Sequence, residues 1–353
     1  MFEITTVSTA APLSIPSPPP EWQIPITIPL GWLHNILPFV PADQVLNIHS
    51  YALCILVGII AAVIITNRRL TKRGGEPWVT LDVIIWAVPL GLVGARFWHV
   101  FTHPDDYFTA ALWADPWQGF VHMIAIWEGG NAIFGALLGG AIGAWIGCRF
   151  AGIRFWSFAD VLAPGMLIAQ IFGRLGNYFN QELFGQPTDL PWGLVISDPD
   201  VVLPAGLSPD TLFHPTFLYE MLWNIFVLTA ILLIERQYKL QWGKVWALYL
   251  IGYGIGRIWF ESIRIDPSEV FLGLRSNVWG AILAIVLGLV LFIAQTRNHP
   301  GREPGVYVPG REWTPEDAVD SGETYSDTDE PADTAIEPSE ELATSGAGKS
   351  TTS

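Results

Sequence analysis

The stretch IHSYALCILVGIIAAVIITN, residues 48–67, decides the fold class of this chain. It contains no Asp, Glu, Lys or Arg. A helix of about 20 apolar residues spans the roughly 30 Å hydrocarbon core of a bilayer. Because a helix satisfies its own backbone hydrogen bonds in lipid, this stretch predicts a transmembrane span.

Six further apolar stretches follow, and the weakest of them, the fourth span, is interrupted by Pro164. They cover residues 79–101, 122–148, 158–178, 215–235, 243–263 and 276–296. The composition agrees, since 51% of the residues are hydrophobic and 14% are charged, whereas soluble domains carry about 25% charged residues. The sequence therefore predicts an all-α, polytopic transmembrane bundle of about seven spans and excludes a soluble globular protein.

Lys and Arg lie mainly in alternate loops, which predicts the orientation of the spans. The loops after spans one, three and five and the segment after span seven contain Arg68, Arg69, Lys72, Arg73, Arg149, Arg154, Arg236, Lys239, Lys244, Arg297 and Arg302. The opposite loops hold only Arg264 and Arg275. The N-terminus is expected outside and the C-terminus in the cytoplasm. The long connection after span four, about residues 178–213, then lies outside, and an active site is expected towards that face.

The two ends of the chain differ from the apolar middle in composition. Residues 1–47 are rich in proline and form an external N-terminal segment in this prediction. Residues 48–297 form the transmembrane catalytic domain. Residues 298–353 are rich in acidic and small polar residues, and such a segment buries too little apolar surface to offset its ordering entropy. It is expected to be a disordered, acidic, cytoplasmic tail.

Three arginines, Arg96, Arg174 and Arg257, lie in or at the end of predicted spans. A charge at the centre of a membrane costs about 2.5–3.5 kcal/mol even on insertion scales, so such residues usually have a partner. One interpretation is structural pairing with acids, for which the candidates are Glu182, Glu220 and Glu261. The other is a ligand phosphate, because a guanidinium group matches phosphate oxygens bidentately.

Polar residues cluster in three motifs near the predicted outer ends of spans. The densest is GRLGNYFNQELFG, Gly173 to Gly185, which contains Arg174, Asn177 and Glu182. HPTFLYE ends at Glu220, and GRIWFE contains Arg257 and Glu261. A helix cap would explain a glycine and an asparagine, but it does not require an arginine, several amides and acids at membrane depth.

Two further motifs allow either a structural or a functional interpretation. IHSY, near the outer end of span one, contains His49 and Tyr51, and single His or Tyr residues at an interface are commonly anchors. WEGGNAIFGA, starting at Trp127, places Gly129 and Gly130 in span three, which favours close helix packing.

The motif GRLGNYFNQELFGQPT resembles the signature of the bacterial prolipoprotein diacylglyceryl transferases. IHSY, GARF, WEGG, HPTFLYE and GRIWFE occur in the order of that family, and the resemblance covers about residues 45–297. It implies transfer of a diacylglyceryl group from phosphatidylglycerol to the lipobox cysteine of a secreted preprolipoprotein, in the bacterial plasma membrane. A thioether forms and glycerol phosphate leaves. No cofactor, metal or nucleic acid is implied.

The resemblance also assigns site residues. Arg174 would hold the phosphate, and Arg257 would be a second essential arginine. Other family motif positions fall on Tyr51, Asn177, Glu182, Gly185, Glu220 and Glu261. His49, as a possible base, and Arg96, as an arginine at membrane depth, are added from the residues themselves. The expected catalytic positions are then Arg174, Arg257, Tyr51 and His49, and the expected substrate-binding positions are Arg174, Asn177, Glu182, Gly185, Glu220, Glu261 and Arg96. Within this assignment, Glu182, Glu220 and Glu261 are expected to hold the arginines.

The chain departs from the family pattern at Phe134, where many members carry a histidine proposed as the base for the thiol. His49, Tyr51, an ionised carboxylate such as Glu220, or no dedicated base remain open. The main rival interpretation is a membrane transporter or channel, although no internal repeat is visible. A different lipid enzyme and a non-catalytic scaffold are less favoured, because the chain lacks a G-x-S-x-G motif and has arginines at membrane depth.

Overall fold

Long helices dominate the computed structural model. It describes residues 14–314, except positions 20, 21, 23, 24, 30, 33–44, 111, 127, 128, 131, 200, 202, 205 and 209. The long helices are α1 (Ser50–Lys72), α2 (Val79–Thr102), α5 (Ile133–Ala151), α6 (Phe155–Phe179), α7 (Thr216–Tyr238), α8 (Lys244–Ile263) and α9 (Ser276–Asn298). The short helices α3 (Pro104–Tyr107) and α4 (Pro116–Ile124) lie between α2 and α5. The prediction of a polytopic helical membrane bundle is confirmed.

Six of these helices, all except α8, are long and apolar enough to cross a membrane. Helix α8 contains the ionisable residues Lys244, Arg257 and Glu261. The side of α8 that carries Glu261 is buried in the bundle. The count of seven spans therefore remains a prediction.

The third predicted span begins later than expected. Residues 122–124 belong to α4, and α5 begins only at Ile133. Gly129 and Gly130 lie between these helices with φ of 86° and 68°, a conformation suited to glycine. Their predicted place inside span three was wrong, because the chain turns here instead of continuing as a helix.

Close packing of α2 against α5 depends on other glycines. A Cβ atom added at Gly135 would lie 2.1 Å from the backbone oxygen of Gly94, and one at Gly143 would lie 2.4 Å from that of Trp86. Small residues let helix backbones approach in membranes, where the hydrophobic effect does not drive helix association. Helix α1 packs on α6, and α8 on α9, in further closely spaced pairs.

Short strands and irregular segments cover one end of the bundle. Strand β1 (Ile26–Pro29) pairs antiparallel with β2 (Val45–Ile48), which leads into α1. Strands β3 (Val270–Phe271) and β4 (Leu274–Arg275) form a hairpin before α9. The connection from α6 to α7 has its own apolar cluster, formed by Phe184, Leu194, Ile196 and Phe213. This connection is therefore a packed structure that holds the ends of α6 and α7.

The segment after α9 corrects the predicted disordered tail. Val306 is 2% exposed and packs among residues of α1, α2 and α6. The Arg154 backbone N–H donates to Val306 O at 2.8 Å, and Tyr307 Oη accepts from Glu76 N at 2.8 Å. Residues 299–313 thus pack against the helix ends, because this segment contains apolar residues within a region whose overall composition is polar and acidic. Residues 315–353 and most of the predicted N-terminal segment lie outside the described residues.

Candidate functional site

Arg174 and Arg257 meet at one carboxylate. Arg174 Nε lies 2.8 Å from Glu220 Oε2, and Arg257 Nη1 lies 3.9 Å from the same oxygen. The three side chains come from α6, α7 and α8. Glu220 is buried, so its single charge is shared by two cations. Glu220 by itself therefore neutralises only part of the charge of the two arginines.

Glu261 is the centre of a second charged group. Its carboxylate lies 3.1 Å from Arg257 Nη2, 2.9 Å from Arg275 Nε and 3.6 Å from Arg264 Nη1. It also accepts a hydrogen bond from Asn277 Nδ2 at 3.1 Å. Its side chain is fully buried, so these contacts compensate the cost of desolvating the charge. Glu261 thereby fixes Arg257 and ties α8 to the start of α9.

Asp266 extends this group to the surface outside the spans. It lies 2.7 Å from Arg264 Nε and 3.2 Å from Arg275 Nη2. Burial would raise the pKa of Asp266, but the hydrogen bond from Arg264 and the charges of Arg264 and Arg275 outweigh burial and lower it. This carboxylate is therefore more stable in its ionised form in the folded protein.

Asn177 connects Arg174 to Glu182. Its Oδ1 accepts from Arg174 Nη1 at 3.1 Å, and its Nδ2 donates to Glu182 Oε1 at 2.7 Å. Glu182 also accepts from Asn180 Nδ2 at 3.3 Å. The expectation that Glu182 holds an arginine directly is corrected here. Helix α6 ends at Phe179 and the chain turns, so Glu182 reaches the amides and acts on Arg174 only through Asn177.

Both arginines line one cavity of about 220 Å³. Its wall consists of Ile133, Gln170, Arg174, Glu220, Trp223, Asn224, Tyr253, Gly256, Arg257 and Phe260. The cavity contains both charged and apolar side chains, and it lies between α6, α7 and α8. An anionic group with an apolar tail would find complementary surfaces here.

Three polar wall residues were missed from the sequence. Gln170, Asn224 and Tyr253 stand four residues from Arg174, Glu220 and Arg257, respectively, in each case one helical turn towards the membrane interior. Gln170 Nε2 donates to the buried Tyr249 Oη at 2.8 Å. The i, i+4 spacing of helices could have identified this deeper layer.

Tyr51 and His49 stand outside this cavity wall in the part of the chain that the structure describes. Tyr51 packs on α6, since a Cβ atom added at Gly176 would lie 2.7 Å from Tyr51 Cδ2. It is close enough to Glu182 and Arg174 to interact electrostatically with both. His49 is exposed and precedes α1. The geometry thus brings Tyr51, but not His49, to the edge of the site.

Gly185 lies in the connection that follows α6, where its surroundings leave no space for a side chain. A Cβ atom there would lie 2.8 Å from His214 Cβ and Ile263 Cγ2. Gly185 N donates to His214 O at 2.9 Å, and Thr216 Oγ1 donates to Leu183 O nearby. Gly185 therefore supports the site by close packing, and the geometry does not place it at the cavity.

Arg96 was predicted to bind substrate, but its donors are used elsewhere. It is 5% exposed. It donates to His122 O at 2.6 Å, Met123 O at 2.8 Å, Gly129 O at 2.5 Å and Gly130 O at 3.2 Å. It is also absent from the cavity wall. The geometry therefore gives Arg96 the task of holding the segment between α4 and α5.

Phe134 is half-exposed on α5, near the start of the helix. A Cβ atom added at Gly280 of α9 would lie 2.9 Å from the Phe134 ring. The Trp98 ring lies tilted to the Phe134 ring, with 6.5 Å between the ring centroids. An apolar ring at this point cannot accept a proton from a thiol. Its neighbour Ile133 lines the cavity, so this position is close to the site.

Comparison with known proteins identifies the family. The family model for prolipoprotein diacylglyceryl transferase matches residues 40–294. A protein of Leifsonia xyli subsp. xyli named phosphatidylglycerol–prolipoprotein diacylglyceryl transferase is 56% identical over 315 residues, which are 88% of this chain and 90% of that protein. One of the same name from Streptomyces griseus is 46% identical over 277 residues, 78% of this chain and 81% of the relative. With its charged cavity among membrane helices, the chain belongs to the prolipoprotein diacylglyceryl transferase family.

Proposed function

We propose that this protein transfers the diacylglyceryl group of phosphatidylglycerol to the lipobox cysteine of prolipoproteins, the first step of lipoprotein maturation. The observation that carries the proposal is the pairing of Arg174 and Arg257 around Glu220 in one cavity between membrane helices. Family membership supports the same reaction. The alternative of a transporter or channel has no comparable support.

The charge of the cavity suits the donor lipid. The two guanidinium groups share Glu220, which leaves part of their charge for a phosphate diester, although Arg257 also contacts Glu261. Arg174 would keep its contact with Glu220 through Nε and use its remaining N–H groups for phosphate oxygens. Asn177 limits the movement of that guanidinium group through Nη1. The deeper wall residues Asn224 and Tyr253 would lie beside the glyceryl ester region.

The reaction itself is a substitution at carbon. The thiolate sulfur attacks the glyceryl carbon that carries the phosphate, a C–S bond forms, and the C–O bond breaks. The electron pair of that bond goes to the phosphate oxygen, so glycerol phosphate leaves with an additional negative charge. Arg174 and Arg257 would stabilise this charge as it develops. Binding lipid and peptide side by side removes a further entropic barrier.

The thiol proton has several possible acceptors in this proposal. Phe134 occupies the position at which many family members carry a histidine, so no histidine can accept the proton there. Tyr51, His49, Glu220 or solvent could accept the proton. Tyr51 interacts electrostatically with Glu182 and Arg174, whereas His49 is exposed and precedes α1. A thiol near two arginines has a lowered pKa, so a dedicated base is not required.

The proposed setting is a bacterial plasma membrane, with the N-terminus outside and the C-terminus in the cytoplasm. The ends of α6 and α8 and the start of α7, which carry the arginines and Glu220, would then face outward. Substrate peptides would approach from that side, and phosphatidylglycerol would enter from the outer leaflet. Cysteine substitution in the α6–α7 connection, followed by labelling of intact cells, tests this orientation.

The decisive experiment uses the purified full-length protein, phosphatidylglycerol and a lipobox peptide. Mass spectrometry should detect a peptide whose cysteine carries a diacylglyceryl thioether, together with released glycerol phosphate. A peptide with Cys→Ser is the substrate control. Arg174→Ala should abolish transfer, and near-normal transfer by that variant would contradict the assigned site.

A further inference from the structure

A second basic cavity lies at the opposite end of the bundle from Arg174 and Arg257. It has a volume of about 450 Å³ and is lined by Arg69, Arg73, Leu232, Glu235, Arg236, Lys239, Leu240, Gln241 and Arg302. These residues come from the end of α1, from the end of α7 with the residues that follow it, and from the segment after α9. Five cationic side chains thus surround a space that contains one carboxylate.

The carboxylates near this cavity already have hydrogen-bond or ion-pair partners. Glu235 contacts Arg69 Nη2 at 2.7 Å and Arg73 Nη2 at 2.8 Å. Asp160, which is fully buried, accepts hydrogen bonds from the backbone N–H groups of Gly243, Val245 and Trp246 at 2.9–3.0 Å. Its distance to Arg73 Nη1 is 4.0 Å. The positive charge of the cavity is therefore only partly neutralised.

Two buried donors of the cavity wall have no hydrogen-bond partner among the described residues. They are Arg69 Nε and Arg73 Nη1. An unsatisfied buried donor on a charged group is costly, and a bound anion would remove that cost. The two side chains are 20% and 15% exposed as a whole, so a small shift of the guanidinium groups towards the cavity would bring these donors to a ligand.

The position of the cavity matches a lipid headgroup. It lies where α1 and α7 end. Leu232 on its wall is exposed, and the adjacent Leu233 is also exposed on the lipid-facing part of α7. Loop cations at helix ends are expected from membrane orientation alone, but that rule does not explain their convergence from three segments around a cavity. Basic pockets between transmembrane helices are suited to phosphate-bearing lipids.

We propose that this cavity is a binding site for a phosphate-bearing anion, with an anionic phospholipid of the adjacent leaflet as its source. Arg69 and Arg73 form the inner wall and keep their contacts with Glu235. Arg236, Lys239 and Arg302 form the exposed rim. The site is separate from the proposed transfer reaction and does not depend on it.

The test compares two triple variants of the full-length protein in detergent. Arg236→Gln, Lys239→Gln and Arg302→Gln together remove the rim charge of the cavity. Arg68→Gln, Lys72→Gln and Arg297→Gln remove the same charge from nearby exposed positions that do not line it. Native mass spectrometry measures retention of added phosphatidylserine, with phosphatidylcholine as the neutral lipid.

The fraction of protein that retains phosphatidylserine should be at least about tenfold lower for the rim variant than for the wild type. The reason is that each basic residue near a membrane surface contributes to anionic-lipid binding. The matched variant should remain close to wild type. Inorganic phosphate, added as a second probe, distinguishes the sources: competition supports a site for the phosphate group alone, and its absence supports an intact lipid. Equal loss in both variants, or loss in neither, would overturn the proposal.

Discussion

Arg174 on α6 and Glu220 on α7 form an ion pair, with Nε and Oε2 2.8 Å apart. The contact uses Nε and leaves the end of the guanidinium group directed to other partners, of which Asn177 is one. An acid that held the arginine by both terminal nitrogens would block a phosphate. The geometry therefore combines a fixed cation with free donors.

Arg174→Lys should reduce transfer about 100-fold, the usual loss when one preorganised donor at a developing charge is removed. Lysine retains the charge but cannot contact Glu220 and a phosphate through a planar fork. Transfer to a lipobox peptide, followed by mass spectrometry, measures the effect. Arg68→Lys, at an exposed position outside the site, is the control. Wild-type rates for Arg174→Lys would show that charge alone is sufficient.

Glu220→Gln should destabilise the protein and reduce transfer together. Removing one partner of a buried ion pair costs about 3–5 kcal/mol, and here two arginines lose their shared carboxylate. Thermal unfolding in detergent measures the first effect and the peptide assay the second. Glu269→Gln, on the exposed segment before β3, provides a matched change without a buried partner. An unchanged unfolding temperature in Glu220→Gln would contradict the shared pairing.

Asn177→Leu should lower transfer more than Glu182→Gln does. Asn177 contacts both Arg174 and Glu182, so leucine of similar size removes both hydrogen bonds and leaves polar partners unsatisfied, at about 1–3 kcal/mol. Glutamine at position 182 can still accept the hydrogen bond from Asn177. Transfer rates at saturating and limiting lipid concentration separate the effects. The reverse order of the two variants would place Glu182 in direct contact with substrate.

Gly135→Ala should destabilise the pairing of α2 and α5. The added Cβ would lie 2.1 Å from the backbone oxygen of Gly94, which cannot move without its helix, and overpacking of this kind typically costs about 1–3 kcal/mol. Gly140→Ala on the same helix is the matched control, because its nearest neighbour would be 3.8 Å away. Thermal unfolding of both variants in detergent tests the expectation, and equal stability would contradict it.

Protonation of Asp266 should lower the free energy of unfolding as the pH falls into the acid range. Its pKa is lowered in the folded protein, with the contacts to Arg264 and Arg275 outweighing burial. The stabilisation is therefore fully present above the unfolded-state pKa of about 3.9 and is lost as the pH falls through the lower folded-state pKa. Asp266→Asn should flatten the unfolding profile in this window, whereas the exposed Asp210→Asn should not. An identical acid profile in Asp266→Asn and wild type would rule out the linkage.

Local sequence patterns predicted much of the site. Arg174 and Arg257 were identified because charges at membrane depth are costly and require partners, and Glu220 was a candidate partner on the same ground. Gln170, Asn224 and Tyr253 were missed, although each stands one helical turn from an identified residue. Uncharged polar side chains within spans give a weaker signal, since their insertion costs less.

Some contacts could not be derived from local pattern. Arg96 has the same sequence signature as Arg174, an arginine near the end of an apolar stretch, yet it binds backbone carbonyls of the segment before α5. Glu182 appeared to be an arginine partner and contacts asparagines instead. Which donor meets which acceptor depends on where separate helices end and how the chain turns between them.

The sequence by itself determined that the chain is a helical membrane protein, because the length and apolarity of each stretch are local properties that the bilayer selects. It also determined which charges needed a partner at membrane depth. Only the tertiary structure decided that α6, α7 and α8 bring Arg174, Glu220 and Arg257 to one cavity, and that residues 299–313 pack on the helix ends. Those contacts join residues far apart in the chain, and their energies depend on distances that no local pattern contains.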